Sequence, residues 1–300
     1  MLSHQRNVNM TKRAQLSTDC LNGVCETLLI PLAARVVESQ STNPAFRDER
    51  GVELAQLLDF DPHEVARDRW NKVGCQARTL IFDDAVNDFL SRHPRALVLN
   101  LGAGLCTRFW RVEPQESLRW FDIDLPSVIA LKRELLANFD DASNSHKQHT
   151  TLDADVTNPS WLEQIPRVAD EQVLVIAEGL LMYLDQDSVQ RLLQTLVKEF
   201  TGGELIIEAW STFVRRVWGT LSPALRRTGA SLHWGLDNPK TIEAWDPRIT
   251  VKNEWRPGDW EPQRWGLLRY APALRRSLTK VVHFQLGETV TSETRQHSAA

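Results

Sequence analysis

The chain has 300 residues, of which 42% are hydrophobic and 25% charged, and its net charge at pH 7 is −4. This is the composition of an ordinary globular protein that can bury a large core. The chain has no excess of basic residues, so no nucleic-acid partner is predicted. It also lacks an apolar run of about 18 residues, so no membrane partner is predicted. The four cysteines lack the CxxC spacing of a zinc site, so we expect no bound metal and reduced thiols in the cytoplasm.

The first 95 residues are predicted to be helical and to form a cap on the rest of the chain. Met1–Asp19 is polar and lacks the apolar centre of a secretion signal, and its first 17 residues are expected to be frayed. Apolar residues then recur at helical spacing in four stretches, namely Cys20–Gln40, which Pro31 interrupts, Glu49–Leu58, Asp61–Trp70 and Val73–Ser91. Their apolar faces need another part of the chain to cover.

Residues 96–105 are predicted to be a buried strand that runs into a glycine turn. The apolar run from Ala96 is typical of a central parallel strand. Gly102 and Gly104 carry no Cβ, so the backbone from Gly102 through Ala103 to Gly104 can turn tightly and approach a small ligand. A second apolar run ends in Asp124, about twenty residues further on, which is the spacing of a nucleotide-binding fingerprint whose acid accepts hydrogen bonds from ribose hydroxyls.

The glycine turn lacks the third glycine of that fingerprint and has no lysine of a phosphate-binding loop. It therefore favours a nucleoside without phosphates, such as S-adenosylmethionine, over a dinucleotide. Two other interpretations stay open at this point. The turn can be an ordinary strand-to-helix connection, or the protein can be a dinucleotide-dependent oxidoreductase, although the missing glycine argues against the latter.

From residue 96 onward strands and helices alternate, which predicts an α/β fold with a doubly wound, mostly parallel, Rossmann-like sheet of seven strands. The predicted strands are Ala96–Leu101, Arg119–Asp124, His149–Val156, Gln172–Ala177, Glu204–Trp210, Ile249–Trp255 and Val281–Leu286, the last of them antiparallel. Helices are predicted at Thr107–Val112, Pro126–Asn138, Ser160–Ile165, from an Asp187 cap to Phe200, Pro239–Trp245 and Leu267–Leu278.

We interpret the chain as one domain in five parts. Residues 1–95 form the helical cap, 96–210 the cofactor-binding core, 211–247 a lid, 248–288 the end of the sheet and 289–300 a disordered polar tail. Ligands of such sheets bind at the carboxyl ends of the strands. Polar or aromatic residues occur at those ends, namely Asp124, Asp155, Glu178 and Trp210.

Three segments together resemble the leucine carboxyl methyltransferase family, and within it the bacterial branch typified by the tetracenomycin polyketide O-methyltransferase. They are residues 98–105, 121–126 and 176–184. The resemblance implies a class I methyltransferase fold and S-adenosylmethionine as cofactor. It also implies site roles: Arg78 holds the methionine carboxylate, Gly102 lies under the cofactor, Asp124 binds its ribose, Asp155 and Val156 flank its adenine, and Glu178 lies at its methionine end.

Two positions of this chain relate less simply to the family. Arg35 matches a basic residue of the family's N-terminal region only loosely. Cys106 stands where family members usually carry Asp, so a carboxylate has become a small, weakly polar thiol. The departure is compatible with normal activity, with weaker cofactor binding or with a homologue that binds cofactor without catalysis.

The expected reaction is O-methylation of a carboxylate or phenol on a small, aromatic or polyketide-like molecule, as in secondary metabolism. Methylation of a protein C-terminus and a non-catalytic homologue are the alternatives. Tyr183 and His233 are weak candidates for a catalytic base. The tryptophans concentrated after residue 209 either pack a core or form an aromatic wall for the acceptor, and Arg215, Arg216, Arg226 and Arg227 either attract an anionic acceptor or form a solvated face. The pattern does not predict an oligomeric state.

Overall fold

The computed structural model describes residue 16 and residues 27–113, 117–139, 147–221 and 230–287. Its centre is a sheet of seven strands in the order β3-β2-β1-β4-β5-β7-β6. The strands are β1 Arg95–Leu101, β2 Ser117–Asp124, β3 Lys147–Asp153, β4 Gln172–Ala177, β5 Glu204–Trp210, β6 Ile249–Trp255 and β7 Thr279–Leu286. The strands β1 to β5 are parallel, and β7 runs antiparallel to both β5 and β6. The predicted fold class, including its antiparallel last strand, is confirmed.

Helices cover both faces of this sheet. The α-helices are α1 Leu29–Ser39, α2 Glu49–Gln56, α3 Pro62–Val65, α4 Arg69–Arg92, α5 Arg108–Arg111, α6 Pro126–Leu136, α7 Gln186–Glu199, α8 Thr212–Leu221, α9 Lys240–Trp245 and α10 Pro272–Ser277. Short 3₁₀-helices lie at Pro159–Gln164, Leu181–Tyr183, Pro257–Asp259 and Pro262–Tyr270.

The central strand β1 is apolar on both sides because helices pack on both sides of it. Leu97, Leu99 and Leu101 join α7 and α9 in one buried cluster. Ala96 and Val98 point the other way and pack against the apolar side of α4. The alternation of side chains along a strand therefore divides one apolar run between two cores.

The N-terminal helices form a third apolar cluster beside the sheet. Leu32 and Val36 of α1 and Leu54 of α2 pack against Leu131 and Leu135 of α6. The cap thus contacts a helix of the core directly, and Leu105 of the glycine turn belongs to the same cluster. The apolar faces of α1 and α2 are covered in this way, and the division of the chain into a cap and a core stays a prediction.

Several predicted boundaries were wrong in ways that local sequence explains. Pro31 lies in the first turn of α1, where a missing N–H costs nothing, and does not interrupt the helix. The residues predicted as a helix up to Trp70 divide into α3 and the start of α4, because Asp68 caps α4 by accepting hydrogen bonds from the N–H groups of Trp70 and Asn71.

Two further predictions near helix ends were also wrong. The cap of α7 is Asp185, which accepts a hydrogen bond from the Ser188 N–H, and not Asp187. The helix predicted at Leu267–Leu278 is broken, because Ala271 leaves helical geometry and Pro272 starts α10.

Some expectations concern residues outside those that the structure describes. They are the frayed N-terminus, the start of the first predicted helix, Trp218 as a side chain, Arg226 and Arg227, and the polar tail from residue 289. In the described ranges, no helix combines the length and the apolar character that crossing a membrane requires.

A buried carboxylate fastens four elements at the amino end of β5, opposite the carboxyl ends of the parallel strands. Glu204 accepts hydrogen bonds from Arg92 of α4 at 3.0 and 3.1 Å and from Lys252 of β6, and its Oε2 lies 2.7 Å from Nε2 of His283 on β7. Burial raises the pKa of Glu204, but these hydrogen bonds outweigh burial and hold the pKa well below the usual value of a glutamate.

We predict that Glu204→Gln lowers the free energy of unfolding at pH 7 by about 1–3 kcal/mol, because charge-assisted hydrogen bonds are lost. Since the folded-state pKa is depressed, the contribution of Glu204 is present above its ordinary pKa of 4.5 and is lost as the pH falls below it. Urea unfolding of both proteins at a series of pH values should therefore show that their difference in the free energy of unfolding decreases in acid. Glu199→Gln, on the surface of α7, is the control, and a difference that stays constant with pH would contradict the prediction.

Candidate functional site

A cavity of about 400 Å³ lies at the carboxyl ends of the parallel strands, and we call it the main cavity. The turn after β1, the end of β2, the segment after β3 and the segment after β4 all contribute to its wall, and α1 and α4 of the cap close its side. Its lining includes every residue predicted to bind the cofactor, namely Arg78, Gly102, Ala103, Gly104, Asp124, Asp155, Val156 and Glu178.

The glycine turn after β1 needs its two glycines for geometric reasons. Gly102 and Gly104 have φ angles of +63° and +47°, a region that side chains disfavour. A Cβ on Gly102 would also lie only 2.9 Å from Cδ1 of Leu180. The N–H groups of Gly102 and Ala103 both donate to the carbonyl oxygen of Ile123, at 2.8 and 3.2 Å, so the turn is fixed against β2.

Asp124 closes the same corner of the main cavity. Its Oδ2 accepts a hydrogen bond from the Gly104 N–H at 2.7 Å, and its Oδ1 accepts one from the Leu125 N–H at 2.7 Å. Burial raises the pKa of Asp124, and the two backbone hydrogen bonds only partly oppose that rise. A carboxylate has about four lone-pair sites, so Asp124 retains capacity to accept hydrogen bonds from a ligand.

The segment after β3 forms the next part of the wall. Asp155 is exposed, and its Oδ1 accepts hydrogen bonds from the N–H and hydroxyl of Thr157 at 2.9 and 2.7 Å, which shapes a tight turn. Val156 is buried and belongs to the apolar cluster under α7. The wall here therefore combines one carboxylate with one apolar side chain.

Arg78 of α4 lies at the other side of the main cavity between two carboxylates. Its Nε donates to Oε1 of Glu178 at 2.7 Å and its Nη1 donates to Oε2 of Glu208 at 2.6 Å. Among the described residues, none accepts a hydrogen bond from its Nη2. The Arg78 side chain is thus held rigidly while one end of its guanidinium remains available to an anionic group.

This pair is one part of a continuous line of buried charges. Glu178 also accepts from Arg108 at 2.7 Å, and Arg108 lies 2.6 Å from Asp83. The line continues from Asp83 to Arg111 at 2.8 Å, from Arg111 to Asp48 at 3.1 Å and from Asp48 to Arg35 at 2.7 Å. Four cations and four anions alternate along it from Glu208 to Arg35.

The neighbours of Glu178 determine its protonation state. Burial raises the pKa of Glu178, but the guanidinium groups of Arg108 and Arg78 outweigh it and lower the pKa to about 2. Glu178 is therefore an anion at neutral pH. It forms ion pairs with two arginines and has no proton to donate at neutral pH.

Cys106, the departure from the family pattern, lines the main cavity and lies beside this charge line. Its Sγ is 3.5 Å from Nη1 of Arg108, a long contact to a weak acceptor. Arg108 has two carboxylate partners besides, Asp83 and Glu178. The charge of Arg108 is therefore paired without any contribution from the thiol.

Of the two weak candidates for a catalytic base, one lines the main cavity and the other does not. Tyr183 lines the main cavity, and burial raises its pKa, so its hydroxyl stays protonated at neutral pH. His233 is exposed and does not line the cavity, although its backbone N–H donates to the Met182 carbonyl at 2.8 Å. His233 is thus not brought together with the other predicted site residues.

The tryptophans and arginines after residue 209 divide between the two interpretations. Trp210 lines the main cavity, whereas Trp234 and Trp245 pack on the apolar core. Neither Arg215 nor Arg216 lines the main cavity, and Arg215 donates to the His233 carbonyl.

Sequence reasoning missed two residues of this charge line. Arg108 follows Cys106 in the segment that was analysed, yet its charge was not connected with Glu178. Glu208 is a carboxylate inside the apolar strand β5, which is the same signal that singled out Glu178. Arg35, which the resemblance matched only loosely, lines the main cavity through α1.

A second buried cluster, made of charged and polar side chains, is hydrogen-bonded to the backbone just after the glycine turn. The Nζ of Lys132 on α6 lies 2.6 Å from Oδ2 of Asp122 and donates to the Cys106 carbonyl at 2.9 Å. Asp122 also accepts from the side chains of Asn100 and Trp120 at 2.8 Å and lies 2.8 Å from Nε2 of His149. Burial raises the pKa of Asp122, but Lys132 and His149 hold it well below the usual value, so Lys132 links an anion of β2 to the turn.

Comparison with known proteins shows similarity along most of the chain. The sequence pattern of the leucine carboxyl methyltransferase family matches residues 29–197, more than half of the chain. The chain is 32% identical to the tetracenomycin polyketide synthesis O-methyltransferase TcmP of Streptomyces glaucescens, over 78% of this chain and 83% of that protein. It is 28% identical to the S-adenosyl-L-methionine-dependent methyltransferase dpfgK of Gibberella zeae, over 77% of this chain and 82% of that protein.

The fold is also found among solved structures. A DUF574-family protein of Streptomyces avermitilis superimposes with a TM-score of 0.53, at 13% sequence identity, over 84% of this chain and 96% of that one. At this identity the likeness concerns the fold alone.

We predict that Lys132→Met lowers the free energy of unfolding by about 3–5 kcal/mol, because Asp122 becomes a buried charge without its ammonium partner. The double variant Lys132→Met/Asp122→Asn should recover part of that loss, since neither charge then remains. Urea unfolding of the single and double variants measures both effects. Lys198→Met, on the exposed side of α7, is the control, and additive losses in the double variant would contradict the prediction.

Proposed function

The chain belongs to the leucine carboxyl methyltransferase family and is an S-adenosylmethionine-dependent methyltransferase, and from this premise we propose that it methylates an oxygen of a small molecule. The proposed acceptor group is a carboxylate or a phenol on an aromatic or polyketide-like compound. The name of the Streptomyces relative, a polyketide O-methyltransferase that aligns with most of this chain, supports this acceptor class.

The residues of the main cavity fit the cofactor, and this fit carries the proposal. At one corner Asp124 has unused lone pairs for ribose hydroxyls, beside a turn in which Gly102 and Gly104 carry no side chain. Asp155 and Val156 provide a carboxylate and an apolar contact for an adenine. On the other side Nη2 of Arg78 is free to bind the methionine carboxylate, close to Glu178.

S-adenosylmethionine supplies a methyl group that is already activated on a sulfonium. The protein therefore has to align the acceptor oxygen with that methyl group and exclude water. The rigid charge line suits alignment, since Arg78 and Glu178 are each held by two partners. Tyr183, protonated at neutral pH, can donate a hydrogen bond to the acceptor but does not take up its proton.

We predict that Asp124→Ala weakens the binding of S-adenosylmethionine and of S-adenosylhomocysteine by about 1–3 kcal/mol, because hydrogen bonds to a charged group are lost. Isothermal titration calorimetry measures both affinities. Asp153→Ala is a matched control, since Asp153 is the register partner of Asp124 on β3 and does not line the cavity. Equal affinities of the Asp124→Ala variant and the unmodified protein would remove Asp124 from the site.

The acceptor class is tested with radiolabelled S-adenosylmethionine and an extract of the source organism. Label should appear in an organic-soluble aromatic compound. The Arg78→Lys variant should no longer transfer label, because lysine lacks the planar guanidinium that donates hydrogen bonds to two carboxylates. Base-labile label confined to a protein band would support methylation of a protein C-terminus instead. Tight cofactor binding without transfer to any compound would support a non-catalytic homologue, the alternative raised by Cys106.

A further inference from the structure

Asp48 is a buried carboxylate that lies next to the main cavity but does not line it. Its two oxygens interact with four donors, namely Nε of Arg35 at 2.7 Å, the Gly51 N–H at 3.0 Å, the Thr107 hydroxyl at 2.6 Å and Nη1 of Arg111 at 3.1 Å. These donors use the roughly four lone-pair sites of a carboxylate. Asp48 therefore has no capacity left to accept a hydrogen bond from a ligand.

The four donors come from separate parts of the chain. Arg35 belongs to α1 and Gly51 to the first turn of α2, whereas Thr107 directly precedes α5, which contains Arg111. Burial raises the pKa of Asp48, but the guanidinium groups of Arg111 and Arg35 outweigh it and hold the pKa well below the usual value of an aspartate. Asp48 is therefore an anion at neutral pH that joins two helices of the cap to the residues after the glycine turn.

Two of these contacts lead directly to the wall of the main cavity. Arg35 lines that cavity, and its Nη2 donates to the Leu105 carbonyl at 2.8 Å. Leu105 and Cys106 also line the cavity, and Thr107 follows them in the sequence. Asp48 thus fixes residues 105–107 twice, through Arg35 at their start and through Thr107 at their end.

Residues 105–107 lie between two corners of the main cavity. On one side, the N–H of Gly104 donates to Asp124 at 2.7 Å, in the corner proposed for the ribose. On the other side, Sγ of Cys106 and Oε2 of Glu178 contact the same guanidinium, that of Arg108, at 3.5 and 2.7 Å. This second side is the one proposed for the methionine end of the cofactor. The segment that Asp48 fixes is therefore next to the amino-acid part of the ligand.

Gly51 shows how closely the Asp48 carboxylate approaches α2. A Cβ on Gly51 would lie 2.4 Å from Oδ2 of Asp48 and 2.6 Å from its Cγ. The carboxylate cannot move aside without losing hydrogen bonds to its other donors. Since glycine disfavours a helix relative to alanine, the absence of a side chain here is explained by the position of Asp48.

We propose that Asp48 is a positioning residue for the amino-acid end of S-adenosylmethionine. It holds Arg35 and residues 105–107 in one arrangement in the cavity wall and does not contact the ligand itself. A binding site keeps its geometry only when hydrogen bonds behind it fix the groups in its wall. The proposal rests on the placement of the cofactor in the main cavity under the proposed function.

The test compares two ligands by isothermal titration calorimetry. S-adenosylhomocysteine carries an adenosine and an amino-acid end, whereas methylthioadenosine carries the same adenosine without the amino and carboxyl groups. If Asp48 positions the wall at the amino-acid end, damage to its contacts should weaken the first ligand and spare the second. Asp48→Asn would leave Arg35 and Arg111 without their anion and destabilise the fold, so the variants are made at its neighbours.

Thr107 provides a matched pair of variants. Thr107→Val removes the hydroxyl that donates to Asp48, whereas Thr107→Ser keeps it. We expect Thr107→Val to bind S-adenosylhomocysteine at least about fivefold more weakly, with a change of less than about twofold for methylthioadenosine. Thr107→Ser should bind both ligands within about twofold of the unmodified protein, because its hydroxyl still reaches the carboxylate.

Gly51→Ala tests the same contact from α2. The added Cβ displaces the Asp48 carboxylate, while alanine itself favours the helix. We again expect a loss of at least about fivefold for S-adenosylhomocysteine and less than about twofold for methylthioadenosine. A gain in helix stability alone would weaken neither ligand.

Two control variants separate this effect from others. Glu204→Gln removes buried charge-assisted hydrogen bonds at the opposite end of the strands, so it should leave both affinities unchanged although it destabilises the protein. Asp124→Ala should weaken both ligands alike, since both carry the ribose.

Two outcomes would overturn the proposal. One is that Thr107→Val and Gly51→Ala bind S-adenosylhomocysteine as tightly as the unmodified protein does. The other is that they weaken both ligands equally, which would mean that Asp48 supports the cavity as a whole. If Asp124→Ala still weakens both ligands in either case, the placement of the cofactor remains and only the role of Asp48 is lost. If Asp124→Ala has no effect either, the placement of the cofactor in the main cavity is also wrong.

Discussion

The line of alternating buried charges from Glu208 to Arg35 is the interaction on which the rest of the site depends. Each member inside the line has oppositely charged neighbours within 3.1 Å, so the charges neutralise one another without water. Removing one member would leave a buried charge without its partner, which typically destabilises a protein by about 3–5 kcal/mol. The line therefore holds Arg35 and Arg78 in single positions at the edge of the main cavity.

The line also explains why the helical cap and the sheet act together. Arg35 belongs to α1, Asp48 caps α2, and Arg78 and Asp83 belong to α4, whereas Glu178 and Glu208 belong to the sheet side. The charges of the cap and of the sheet side neutralise each other only when the two parts are packed together. Arg108 is held by one carboxylate from each part, Asp83 and Glu178, so the cap cannot move away from the sheet side without breaking several charge-assisted hydrogen bonds.

The helix α4 contributes one wall of the main cavity. Asn71, Cys75 and Arg78, on one face of this helix, line that cavity. Glycine at position 74 on the same face leaves room beside Trp265. One helix of the cap therefore positions a cation at the main cavity.

The sequence by itself determined the succession of strands along the chain and the residues at their carboxyl ends, because strand periodicity, the two glycines and an acid at a fixed spacing are local signals. Gly102, Asp124 and Glu178 were identified in that way, and they line one cavity. Only the tertiary structure decided which distant charges meet. Arg108 is 70 residues from Glu178, and Arg78 is 130 residues from Glu208. No local pattern encodes such pairs, since a buried ion pair depends on how helices of the cap pack against strand ends. The main cavity is likewise a property of packing, because several separate segments of the chain contribute its wall.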